Sequence, residues 1–101
     1  MSKDYVREKL SIAVSCLAAS AAPIRERVGN AGLSGLTTLT AEDFWDADEG
    51  ARFERIREAL GTFSPIGDEG SMQTSAAFMT EERAVEIARE ITELYHLAVQ
   101  E

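Results

Sequence analysis

One histidine, one cysteine and two lysines occur in 101 residues, and each scarcity removes a class of function. The lone Cys16 forbids an internal disulfide and suits a reducing compartment. His96 is the only imidazole, so little is available for a general base near neutral pH or for the commonest metal ligand. Lys3 and Lys9 are followed only by arginines, and nowhere do bases cluster as they must to neutralise a phosphate backbone. A bare nucleic-acid binder is therefore not expected. No apolar run approaches the ~18 residues of a membrane-spanning helix. The reading is a cytoplasmic protein. A secretory leader is weighed at Leu10–Ala22, where Ala19-Ser20-Ala21 has the small-x-small form, but Asp4, Glu8, Ser11 and Ser15 spoil the pattern.

What is abundant is acid, and it is unevenly placed. Residues 1–40 carry five bases and three acids, whereas residues 41–101 carry five bases and fifteen acids, giving a formal net charge of -8. A chain of this length is read as one domain that buries about two-thirds of the surface of its unfolded form.

Apolar periodicity predicts an all-α domain, a compact bundle of four to five helices. Val6, Leu10, Ala13, Val14, Leu17, Ala21, Ile24 and Val28 share one 100° arc. Pro23 interrupts that stripe, since it has no N–H and clashes with the carbonyl four residues back. A break around Ser20–Ala22 with a new helix from Pro23 is favoured over one kinked helix. Gly29, Gly32 and Gly35 each weaken a helix by about 1 kcal/mol relative to alanine, yet helical spacing persists to Leu39. Their best use is to let another backbone approach closely. The spacing is neither a dinucleotide fingerprint nor a P-loop.

Thr40-Ala-Glu-Asp43 reads as a capping signal. Asp46 or Asp48 caps a third helix ending at Gly61, with Phe53, Ile56, Leu60 and Phe63 as its buried stripe. Thr62–Gly70 is the clearest loop, and a brief helical piece over Ser71–Met79 follows. Thr80 caps the last helix, which runs to about Gln100 and buries Ala84, Ile87, Ile91, Leu94, Tyr95 and Ala98. Val85, Ala88 and Val99 widen its apolar arc, so self-association as a homodimer is a further expectation.

Two surfaces emerge as candidate partner-binding sites. The first is Glu42, Asp43, Phe44, Trp45, Asp46, Asp48 and Glu49, five acids and two aromatics without a base. Adjacent aromatics on a helix or an extended segment cannot both point squarely inward, and a Trp left partly exposed in an acidic rim is the kind of side chain that anchors interfaces, although burial of both rings through a turn is the favoured expectation. A calcium loop is rejected on register, because counting from Asp46 puts Arg57 where a glutamate is required. The second is Glu82, Glu86 and Glu90 on the last helix, which Glu93 extends. Its like-charge i, i+4 pairs are partly offset by Arg83–Glu86 and Arg89–Glu93. Arg52, Arg55 and Arg57 read as a solvated ion-pair face, matched by Asp48, Glu54 and Glu58.

Glu93 and His96 have the Glu-x-x-His spacing used in di-iron bundles. With one histidine, such a metal site needs a symmetric dimer. No cofactor is expected, and no catalytic residue is assigned. Three functions remain open: a regulatory or adaptor module that binds a basic protein through acidic surfaces, an acidic nucleic-acid mimic that inhibits a defence or nucleic-acid-processing complex, and a dimeric metal-binding enzyme.

Overall fold

Helix α1 (Lys3–Ala18) forms where the sequence stripe requires it, and Val6, Leu10, Ala13 and Leu17 supply its buried face. The computed structural model describes residues 3–61 and 79–100. The chain leaves the helix before Pro23, whose φ of -57° suits the residue that opens α2 (Ile24–Ala31). The predicted break is present, and two helices replace one kinked helix. Arg27 secures the junction. Its Nη1 donates to the Leu17 carbonyl at 2.8 Å, an oxygen that the end of α1 leaves without an intrahelical donor, and its Nε to the carbonyl of Ala22 in the connection at 2.7 Å. Replacing Arg27 by alanine is expected to cost about 1.5–3 kcal/mol, the range for hydrogen bonds to a charged group. Urea unfolding checks this, and Arg27→Lys is expected to recover only part of the loss because one ammonium cannot reproduce the fork.

Beyond Ala31 the helix widens into a π-helical turn, Gly32–Leu36. A Cβ added at Gly35 would lie 2.6 Å from the Lys9 carbonyl oxygen and 2.9 Å from Ala13 Cβ and N. Glycine here lets the turn sit directly on the backbone of α1, as the sequence reading expected. Leu36 and Leu39 then enter the core.

A 3₁₀ turn, Ala41–Asp43, follows and is capped as predicted: the Asp43 carboxylate accepts from the Thr40 N–H at 2.8 Å and from its hydroxyl at 3.3 Å. Helix α3 (Ala47–Gly61) takes Asp46 rather than Asp48 as its cap, with Asp46 Oδ1 accepting the Glu49 N–H at 2.9 Å. Phe53, Ile56 and Leu60 are fully buried. Helix α4 (Glu81–Gln100) begins where the Thr80 hydroxyl accepts the Arg83 N–H at 3.0 Å.

The core joins residues from all four helices, with α4 packed against α1, α2 and α3 and α1 packed against α2 and the π turn. Tyr95 and Ala88 are half-buried at its margin, and Val85 and Val99 are exposed. Among the described residues there are four α-helices and no strand, so the all-α expectation holds and the helix count sits at its lower end. The expected Thr62–Gly70 loop, Phe63 and nearly all of the Ser71–Met79 piece lie outside the described residues. No described helix is long and apolar enough to cross a membrane.

Candidate functional site

The acidic-aromatic segment separates its two rings. Phe44 turns inward, 8 % exposed, with its ring centroid 5.0 Å from that of Phe53. Trp45 stays half-buried at the edge, 6.5 Å from Phe44. Two cations from α1 cover it, Lys3 Nζ at 5.4 Å and Arg7 Cζ at 5.3 Å from the ring centroid. Both distances are within the ~6 Å reach of a cation–π interaction. The indole N–H of Trp45 is enclosed without a hydrogen-bond partner among the described residues.

The carboxylates of this segment have divergent roles. Asp43 and Asp46 cap backbone groups, and Asp48 accepts from Arg52 Nε at 3.1 Å. Glu42 is exposed and makes no ion pair among the described residues. Glu49 corrects the sequence reading: at 3 % exposure it cannot contribute to a surface. Its neighbour Gly50 is also buried, and a Cβ there would meet the Ala41 carbonyl at 2.9 Å, so the first turn of α3 lies close against the 3₁₀ turn.

On α4, Glu82, Glu86 and Glu93 are exposed and Glu90 is half-buried. Arg83 pairs with Glu86 at 3.2 Å, as its i, i+3 spacing predicts. Glu93 is not taken by Arg89. Arg52 reaches it from α3 at 3.9 Å while holding Asp48, and so links two helices. The hydrogen bond that Arg52 donates to Asp48, then the charge of that carboxylate, raises the pKa of Arg52 above the ordinary arginine value. Among the described residues Glu54, Glu81, Glu82 and Glu90 make no ion pair, and Glu90 Oε2 is enclosed without a hydrogen-bond donor.

The cations explain why so many carboxylates lack them. Arg7 Nε donates to the Ala98 carbonyl at 3.0 Å, Arg25 to that of Met79 at 3.4 Å and Arg57 to that of Leu39 at 3.5 Å, alongside the two bonds of Arg27. Lys9 sits over the Tyr5 ring at 5.4 Å. Sequence spacing missed these roles, because it pairs charges along one helix and these donors reach other elements.

Glu93 and His96 are both exposed and share a shallow depression with Arg52, Leu97 and Gln100. The Arg52 guanidinium beside Glu93 opposes a second cation there. Among the described residues no group of three or more His, Cys, Asp and Glu side chains could hold a metal ion. Cys16 is a half-buried neighbour of the core. Comparison with protein-family models, with curated proteins and with solved structures finds no match to this chain.

Proposed function

We propose that this chain is a protein-binding module of adaptor or regulatory type, and that it docks a basic partner protein through the carboxylates of α3 and α4 and the segment 42–48. The observation that carries this reading is the unequal use of the two signs of charge. Four arginines (Arg7, Arg25, Arg27 and Arg57) donate to backbone carbonyls, while Glu42, Glu54, Glu81, Glu82 and Glu90 make no ion pair among the described residues. These four arginines bind the fold together, and of these five glutamates all but the half-buried Glu90 are exposed. Such a surface accelerates encounter with a basic patch and disfavours acidic competitors.

The test is capture from native lysate across a salt series, using wild type and the triple variant Glu82→Gln, Glu86→Gln, Glu90→Gln. Removing two like-charge i, i+4 pairs gains roughly 0.2–0.5 kcal/mol per pair, which offsets the loss of the Arg83–Glu86 ion pair and of Glu82 from the first turn, so α4 is expected to stay folded, and thermal unfolding of the variant checks this. A partner held at low salt, released at high salt and lost with the variant is the expected result. Capture that withstands high salt and ignores the variant sinks the acidic reading. A captured nucleic-acid-processing protein whose nucleic acid competes with this chain would turn the adaptor into a mimic.

A further inference from the structure

We infer that the Trp45 face is a cation-recognising subsite for a lysine or arginine side chain of the partner, and that Lys3 of this chain occupies it until the partner displaces it. The inference rests on the docking reading above and deepens it. What the subsite takes is shown by what already lies on it: one ammonium and one guanidinium, both within 5.5 Å of the ring centroid. The negative π face of an indole is the best aromatic surface for a cation. The exposed Glu42 and Asp46, flanking Trp45 in sequence, raise the local cation concentration around it.

The two resident cations are held very differently. Arg7 is fixed, because besides facing Trp45 it pairs with Asp4 at 3.2 Å and donates to the Ala98 carbonyl at 3.0 Å. It forms a permanent wall of the subsite. Lys3 is exposed, and its contact with Trp45 is the only interaction it makes among the described residues. It also stands at the start of α1, where a positive charge opposes the helix dipole. The i, i+4 spacing sets Lys3 beside Arg7 on one side of the helix, so a partner's cation that replaces Lys3 meets the same ring and the same acidic surroundings. Lys3 thus acts as an internal competitor that a basic partner has to displace.

Trp45 is the only tryptophan, so its emission reports on this subsite alone. The probe is a capped hexalysine peptide, followed by Trp45 fluorescence and, with a labelled copy, by anisotropy. Wild type is compared with Lys3→Gln and with Arg89→Gln, an equal loss of charge on α4. Lys3→Gln is expected to bind the peptide about two- to five-fold tighter than wild type, the strength of one exposed cation–π contact. Arg89→Gln should gain much less, and Trp45 emission should change on binding in all three proteins. Equal gains in the two variants overturn the inference. So does anisotropy that reports binding while Trp45 emission stays constant, an outcome that leaves the acidic-surface reading intact. Absence of peptide binding at low salt by either signal overturns both.

Discussion

Gly35→Ala is expected to lower the stability of the domain by about 2–3 kcal/mol, a fall of roughly 10–20 °C in Tm. The added methyl would lie 2.6 Å from the Lys9 carbonyl oxygen and 2.9 Å from the Ala13 nitrogen. Both are backbone atoms of α1, so no rotamer change relieves the contact. Either the π turn lifts from α1 or α1 bends, and each movement opens the packing around Leu36 and Ala13. Gly61 provides the control. Nothing lies within 4 Å of a Cβ there, and it occupies the last position of α3. Gly61→Ala should therefore leave stability unchanged or raise it by about 0.4–1 kcal/mol, since alanine reduces the freedom of the unfolded chain. Thermal unfolding followed by far-UV circular dichroism measures both. Equal Tm values for Gly35→Ala and wild type would show that α1 and the π turn do not meet this closely.

Phe53→Ala should cost more, about 3–5 kcal/mol. Phe53 is fully buried on α3 and carries Phe44 against it, so truncation removes the floor on which the acidic-aromatic segment rests. Domains of this size have about 5–15 kcal/mol in total, so the loss removes between about a fifth and all of that stability. Phe53→Leu, keeping most of the volume, should lose less than about 1.5 kcal/mol and hold Trp45 in place. Urea titration gives the stabilities, and Trp45 emission in the folded Phe53→Leu protein reports whether the segment has moved. A cost below about 1 kcal/mol for Phe53→Ala would contradict the packing described.

These two positions also show what could be read beforehand. Phe53, Ile56 and Leu60 recur at helical spacing, and burial by a stripe is a local property of the chain; the same holds for Val6–Leu17 and Ala84–Ala98. Caps were legible at Thr40 and Thr80, because each depends on residues three apart, while the cap of α3 was narrowed only to Asp46 or Asp48. Gly35 was legible only in kind: a glycine announces close approach but not what approaches, and the π turn that delivers it to Lys9 has no spacing signal of its own. The candidate surface was least legible. Glu49 looks like any neighbouring acid, yet it is buried where the first turn of α3 lies close against the 3₁₀ turn. The Phe44-Trp45 pair could be singled out, but which ring stays half-exposed was not legible, and the cover of Trp45 by Lys3 and Arg7 comes from α1, distant in sequence. Guanidinium-to-carbonyl bonds leave no trace in charge pairing at all.

The bond from Arg7 to the Ala98 carbonyl spans 91 positions, and it has a bearing on how the molecule is made. During synthesis α1 leaves the ribosome first. At the usual 5–20 residues per second, α4 follows roughly 5–20 s later. In that interval α1 can pair with α2 and the π turn, its near neighbours, but the surface of α1 that α4 will cover stays open to water. Until then the nascent chain exposes apolar surface of the kind that makes incomplete chains prone to associate. Completion waits for the final helix to return to the first.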